Sequence, residues 1–369
     1  MTHDEAMALD PSALDARILA AIAAWHETGA PMSEAAFNAL ALDLYAHQLA
    51  RNEPYRRYVL GEQRDPPRTW RHIVAVPSSA FKDATLATFP PSVAELEFHT
   101  SGTTQGRSGR HYMERAELYR RALIAGFDRF MLQDGAQLVY LNLLAHPSDN
   151  PRSSLSFMMG AVGLERGTEA PRFYVRDDVL DVEAFCRDLA ACIDARRAVC
   201  VAGTAFAFAS LLDDLDALRL RFRCVAGSRV METGGFKGRT RAIDRATLYA
   251  RVADAMGVAE RDVVAEYGMT ELTSQYYDSP ASRGGDVRIK AGPPWLRTIV
   301  VDDDGREVPP GETGLLRHVD LANRSSVIAV ATEDRGYAAS DGFVLLGRSA
   351  GAPPRGCSLD AEDLAAVPR

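Results

Sequence analysis

Between Gln137 and Met256 short β-branched runs alternate with longer runs of helical period. Gln137–Leu144 reads as a strand, Val182–Ala195 as a helix and Ala198–Ala202 as a strand, followed by helices at Ala205–Leu218 and Arg241–Met256. Strands separated by helix-length connections pair in parallel through crossovers, which confines the chain to an α/β architecture. Upstream, Asp10-Pro11-Ser12 is a helix start, and Leu14, Ile18, Leu19, Ile22 and Trp25 recur with a helical period. Ser33 caps a second helix expected to run to about Pro54. After about Asp286 the helical period stops and turn signals crowd in, at Asp302-Asp303-Asp304-Gly305 and Pro309-Pro310-Gly311. The runs between and beyond them, Leu296–Val301, Gly314–Val319, Val327–Ala331 and Phe343–Leu346, read as a small antiparallel unit. The expected organisation is a helical segment at 1–72, an α/β core at 73–289, an antiparallel β subdomain at 290–349 and a loose tail at 350–369.

Composition narrows the function classes. With 369 residues, 47% hydrophobic and 25% charged, the chain can bury a large core without disulfides. A net charge of −8 and no Lys/Arg-dense stripe argue against a nucleic-acid partner. No window approaches a membrane span of ~18 apolar residues, and Asp4, Glu5, Asp10 and Asp15 stand where a signal peptide needs Lys or Arg, so a cytoplasmic location is expected. Five cysteines without CxxC spacing suggest neither a disulfide framework nor zinc. Lys82, Lys237 and Lys290 are the only lysines, so any step that needs an amine has three candidates.

Three segments carry chemistry. Phe98-His99-Thr100-Ser101-Gly102-Thr103-Thr104-Gln105-Gly106-Arg107 packs hydroxyls and glycines into a loop after a strand-like run. Glycines let backbone N–H groups approach a phosphate and hydroxyls add donors, although the segment is not a Walker loop and, taken alone, is equally an ordinary polar turn. Glu266-Tyr267-Gly268-Met269-Thr270-Glu271 follows the strand-like Val263–Ala265, where doubly wound sheets place ligands. There Glu271 could hold Mg²⁺ as a hard oxygen ligand and Tyr267 could stack on a base, or the stretch could be a surface loop. In Thr332-Glu333-Asp334 the aspartate could accept from ribose hydroxyls, and Gly347-Arg348 follows at the end of the β unit.

In this order the segments resemble the adenylate-forming enzyme superfamily, whose pattern is a Ser/Thr/Gly phosphate loop, Tyr-Gly-x-Thr-Glu, an acidic ribose site and Gly-Arg. The resemblance implies a nucleotide-binding α/β core with a β subdomain, and activation of a carboxylic acid by ATP and Mg²⁺ to an acyl-adenylate. It places Ser101, Gly102, Thr103, Thr104, Gly106, Tyr267, Gly268, Thr270, Asp334 and Arg348 around the nucleotide and Glu271 at the metal. Superfamily members ordinarily continue past Gly-Arg into a C-terminal lid domain with an essential lysine, whereas here 21 residues follow Arg348 and none is Lys.

That departure points to the acyl-protein synthetase group of bacterial bioluminescence operons. Pro77-Ser78-Ser79-Ala80-Phe81-Lys82, Gly234-Gly235-Phe236-Lys237, Pro293-Pro294-Trp295, Val308-Pro309-Pro310-Gly311, Thr332-Glu333-Asp334-Arg335-Gly336 and Arg355-Gly356-Cys357-Ser358 all look like that group. In the family a cysteine near the C-terminus takes the acyl group from the adenylate and passes it to a partner reductase, and Cys357 occupies that position. It lies nine residues beyond Arg348 on a Pro/Gly segment that could extend by about 30 Å. Arg355 beside it would favour the thiolate. Lys237 is the candidate to replace the missing lysine, with Lys82 second. Two rivals stay open: direct transfer to coenzyme A or a carrier-protein thiol, and a catalytically silent nucleotide-binding scaffold. His99, His146 after the strand at 137–144, and Phe157-Met158-Met159 are weaker candidates for lining a pocket or acyl tunnel. The acid, expected to be a fatty acid by analogy, and the acyl acceptor are not fixed by these residues.

Overall fold

The computed structural model describes residues 10–62, 65–100, 108–234 and 244–348. Helices come first: α1 (Pro11–Thr28), α2 (Glu34–Arg51) and α3 (Glu53–Glu62). Asp10 caps α1 by accepting from Ser12 N, Pro11 sits at its first position, and Gly29 closes it at φ 71°. Ser33 caps α2 through Ala36 N. The expected run to Pro54 is broken at Asn52, which is extended and whose side chain accepts from Tyr55 N at 3.2 Å in the first turn of α3.

Next come β1 (Val76–Pro77), the short helix α4 (Ala80–Asp83) and a hairpin of β2 (Leu96–His99) and β3 (Arg110–Met113). The alternating stretch is α5 (Ala116–Met131), β4 (Val139–Ala145), α6 (Ser154–Arg166), β5 (Arg172–Arg176), β6 (Val179–Leu180), α7 (Val182–Asp194), β7 (Val199–Thr204), α8 (Ala205–Ala217), β8 (Arg229–Thr233), α9 (Arg245–Met256) and β9 (Val263–Tyr267). Short strands β10 (Tyr276–Asp278) and β11 (Ile289–Ala291) lead to β12 (Leu296–Val301), β13 (Gly314–Asp320), β14 (Ala329–Ala339) and β15 (Gly342–Arg348).

The chain divides into two compact units, one of residues 10–126, 269–275 and 289–348 and one of residues 127–268 and 276–288. In the second unit the strand order is β10-β9-β8-β7-β4-β5-β6, with β9, β8, β7, β4 and β5 parallel. Alternate residues of these strands (Val139, Leu141, Val199, Val201, Val230, Val263) join Phe185 of α7, Phe208 and Leu211 of α8 and Leu248 and Val252 of α9 in one apolar cluster. Burial of these side chains is the main stabilising term there, about 1.5–3 kcal/mol for each large one. Parallel pairing also aligns the carboxyl ends of β4, β7, β8 and β9 along one edge of the sheet.

The first unit is built on the antiparallel order β12-β13-β14-β15-β11, with β1 parallel to β14. Its interior is aromatic and polar. Trp25 of α1 meets Trp295 edge-on at 5.3 Å, and Phe37 of α2 meets Trp70 at 5.0 Å. Residues 321–328, which join β13 to β14, are all buried, so their backbone polar groups need internal partners. Gln48 of α2 supplies two, donating to Asn323 O at 2.8 Å and accepting from Ile328 N at 3.0 Å. Arg324 is fully buried and is held by Asp15 of α1 at 2.6 Å and by Glu114. Among the described residues no helix is long and apolar enough to cross a membrane.

Candidate active site

The β2–β3 hairpin fixes the two ends of the Ser/Thr/Gly segment. Phe98 pairs with His111 and His99 with Arg110. Beyond the strands, Thr100 N donates to Gly109 O at 2.9 Å, Gly109 N to Thr100 Oγ1 at 2.9 Å, and Ser108 Oγ to Thr100 O at 2.7 Å. A Cβ on Gly109 would lie 3.1 Å from the Thr100 methyl and 3.3 Å from the Phe81 backbone, so glycine lets the hairpin base close against α4. Ser101, Gly102, Thr103, Thr104 and Gly106, on the segment between, lie outside the described residues, as do Lys237 and Cys357. His99 turns its imidazole to Glu97, 2.7 Å away.

The Tyr-Gly-x-Thr-Glu motif straddles the two units. In the second, β9 ends in Glu266 and Tyr267, both buried. Thr233 at the end of β8 donates to Glu266 Oε2, and Tyr267 packs on Tyr276 of β10 at 5.9 Å. Gly268 follows, and the motif then enters the first unit. There Leu272 N donates to Met269 O at 3.0 Å, closing a turn around Thr270 and Glu271.

Within the first unit this turn is held against the hairpin by two bonds: Thr270 Oγ1 donates to His99 O at 3.3 Å, and Thr270 O lies 2.6 Å from His111 Nδ1. A carbonyl only accepts, so Nδ1 carries the proton. Burial pushes the His111 pKa down to about 4, which keeps the ring neutral at physiological pH. Its ring lies edge-on to Phe81 at 5.7 Å, and its Nε2 is buried without a hydrogen-bond partner among the described residues.

From the other side, the buried residues at the end of β13 hold the same segment. Asn323 Nδ2 donates to Glu271 O at 2.8 Å, while its Oδ1 accepts from Thr273 N at 2.7 Å and Thr273 Oγ1 at 2.6 Å. Asp320 accepts from Ser274 N at 2.7 Å, Thr273 N at 3.0 Å, Ser274 Oγ at 3.0 Å and Ala322 N at 2.9 Å. Burial raises its pKa to about 6, against the pull of those donors, so Asp320 is ionised at neutral pH. No motif marks His111, Asn323 or Asp320 in the sequence. The only trace is a set of polar residues inside otherwise apolar runs.

The acidic segment lies within β14, whose register sets Asp334 opposite Arg348 of β15. Arg348 Nε is 3.3 Å from Asp334 Oδ1, and Thr332 Oγ1 accepts from Asp334 N at 3.2 Å. Arg348 is half exposed, whereas the Asp334 carboxylate is largely covered. Lys82 is half-buried on α4.

No group of three or more His, Cys, Asp or Glu side chains is placed to hold a metal among the described residues. A lone carboxylate such as Glu271, buried in the turn that also carries Thr270, Thr273 and Ser274, fits Mg²⁺ nonetheless, because that ion commonly takes one or two carboxylates and fills its shell with phosphate oxygens and water. In the second unit His146, edge-on to Phe173 at 5.1 Å, borders a cavity of about 350 Å³ with Ser148, Asp149, Pro171, Val175 and Arg176. Met158 and Met159 are buried in α6.

Comparison with known proteins bears on the fold and the family of this chain. A search of curated proteins finds no match in sequence. Among solved structures, 2-hydroxyisobutyryl-CoA ligase in the postadenylation state in complex with R3-HIB-AMP matches with a TM-score of 0.63 at 15% identity, over 88% of this chain and 66% of that one. An open conformation of the same ligase in complex with 2-HIB-AMP and CoA matches with a TM-score of 0.62 at 16% identity, over 86% and 76%. ATP-bound MatB from Rhodopseudomonas palustris matches with a TM-score of 0.50 at 17% identity, over 69% of this chain and 48% of its own, so the chain spans about half of MatB. The fold is thus that of adenylate-forming enzymes, an α/β architecture whose second unit carries a mainly parallel set of strands. The family model for LuxE acyl-protein synthetase matches residues 8–363, nearly the whole chain, and the protein belongs to that family.

Proposed function

We propose that the protein is a ligase that activates a carboxylic acid with ATP and hands the acyl group to a protein partner through its own thiol. The observation that carries the reading is the pair of bonds joining Thr270 to His99 and His111, which ties the Thr-Glu turn to the base of the Ser/Thr/Gly hairpin. Two motifs 159 residues apart are thereby neighbours, as a shared nucleotide requires.

In this reading Ser101, Thr103, Thr104 and the backbone at Gly102 and Gly106 donate to phosphate oxygens, and Asp334 accepts from the ribose hydroxyls. Tyr267 stacks on the base, with Gly268 and Thr270 beside it, and Arg348, now on Asp334, contributes to the same ribose contact. Glu271 holds Mg²⁺, which supplies positive charge to offset the phosphates. Lys237, or Lys82 in its place, faces the charge that builds as the acid's oxygen attacks the α-phosphorus. That bond forms as the Pα–O–Pβ bond breaks and pyrophosphate leaves. The Cys357 thiolate then attacks the acyl carbon, AMP departs with the carboxyl-derived oxygen, and the thioester passes to a thiol or reductase of the partner. A fatty acid is the proposed substrate.

The test is acid-dependent exchange of labelled pyrophosphate into ATP, with labelled acyl groups retained on denatured protein in a form released by neutral hydroxylamine. Cys357→Ser is expected to keep the exchange and lose the label. A variant that still delivers acyl groups to the acceptor at the normal rate would favour direct transfer to coenzyme A or a carrier thiol. Bound ATP without exchange for any acid would favour the scaffold.

A further inference from the structure

Resting on that reading, we infer that His111 is a positioning residue for Glu271, acting with Asn323 as a two-sided clamp on the backbone of the Thr-Glu turn. The two side chains grip successive carbonyls, His111 Nδ1 that of Thr270 at 2.6 Å and Asn323 Nδ2 that of Glu271 at 2.8 Å. Fixing adjacent carbonyls fixes the peptide planes on both sides of the Glu271 Cα, and with them the direction in which its Cα–Cβ bond leaves the chain. Asp320, accepting from Thr273 N and Ser274 N, and Asn323 Oδ1, accepting from Thr273 Oγ1, extend the grip to residues 273 and 274.

The orphan nitrogen argues that this is more than packing. A residue needed only to fill the space beside Phe81 would be apolar, since an aliphatic side chain brings no polar atom to satisfy. His111 instead keeps a buried Nε2 without a partner among the described residues, and what it gains is the Nδ1–H bond to the Thr270 carbonyl. Its neutrality makes it a donor of fixed tautomer rather than a buried cation. The arrangement is that of a supporting shell: a side chain that touches no substrate holds in register one that does.

The test measures pyrophosphate exchange and thermal melting on the full chain. His111→Leu removes the donor and the orphan together, so it is expected to shift Tm by less than about 4 °C while lowering the exchange kcat by roughly 10–100-fold. His111→Asn places an amide N–H where Nδ1 stood and is expected to recover most of the rate. His111→Gln, whose amide sits one bond farther out, is expected to remain impaired, and this Asn/Gln contrast carries the test if the leucine variant does not fold. Exchange within twofold of wild type in His111→Leu, or equal impairment in Asn and Gln variants, would overturn the clamp alone. Absence of exchange in the wild-type protein would overturn the functional reading and the clamp with it.

Discussion

Each unit buries some polar side chains, Glu232, Glu266, Asp278 and Arg288 among them in the second, but the largest interior feature of each differs in chemistry. The second gathers valines, leucines and phenylalanines from β4, β7, β8, β9 and three helices into one apolar cluster. The first buries Gln48, Asn52, Asp320, Asn323, Arg324 and His318 among its aromatic residues. Apolar packing is non-directional and tolerates repacking, whereas a buried polar network is worth having only when every member meets its partner at the right angle. The difference teaches where geometry is specified: the apolar cluster holds the sheet, and the polar interior holds the turn at 270–274.

Breaking each interior separately sharpens the contrast. Phe208→Ala removes a fully buried ring from the apolar cluster and is expected to cost about 3–5 kcal/mol in urea unfolding, with exchange per folded molecule unchanged. Asp320→Ala is expected to cost about 3 kcal/mol, because it strands the buried donors of Thr273, Ser274 and Ala322, and also to abolish most exchange. Equal activity per folded molecule in both variants would erase the distinction.

Acid should act on the first unit more than the second. Burial pushes His111 and His318 down to about 4 from an ordinary value of 6.5, so the unfolded chain binds protons that the folded one refuses. Their neutral forms contribute stability that is complete above pH 6.5 and is lost as pH falls toward 4, up to about 3 kcal/mol each. Asp320 runs the other way. Its carboxyl, raised to about 6, makes the folded state bind the extra proton between 3.8 and 6, which offsets part of the loss. The expected net result is weaker amide protection in β13 and β14 at pH 5 than at pH 7, with β4 and β7 little changed, read by hydrogen exchange corrected for intrinsic rates. The smallest effect belongs to the surface: Asp43→Ala, which breaks the exposed pair with Arg17, should change stability by less than about 0.5 kcal/mol in the same urea series.

Much of the architecture is legible in the residues because it is local. The strand at Leu296–Val301 has the bounds that its β-branched run suggests, and the helices beginning at Pro11 and Glu34 start where their caps stand. β14 is longer than expected, continuing from Ala331 to Ala339 through Thr332-Glu333-Asp334, because pairing with β15 outweighs the polar interruption, with a register shift at Arg335/Gly336. The β2–β3 hairpin escapes notice because the Ser/Thr/Gly segment separates its strands. The clamp is hidden for a different reason. His111 lies 159 positions from Thr270, and Asn323 lies 52 from Glu271, so no window of sequence holds both ends of either bond.

Adenylation and acyl phosphate formation differ in which phosphorus the acid attacks. Turnover with a carboxylic acid labelled with ¹⁸O in both carboxyl oxygens, followed by mass analysis of the phosphate products, reads this directly. Attack at the α-phosphorus predicts one ¹⁸O in AMP for every acyl group transferred. Label in inorganic phosphate, with AMP unlabelled, would mean an acyl phosphate route and no acyl-adenylate.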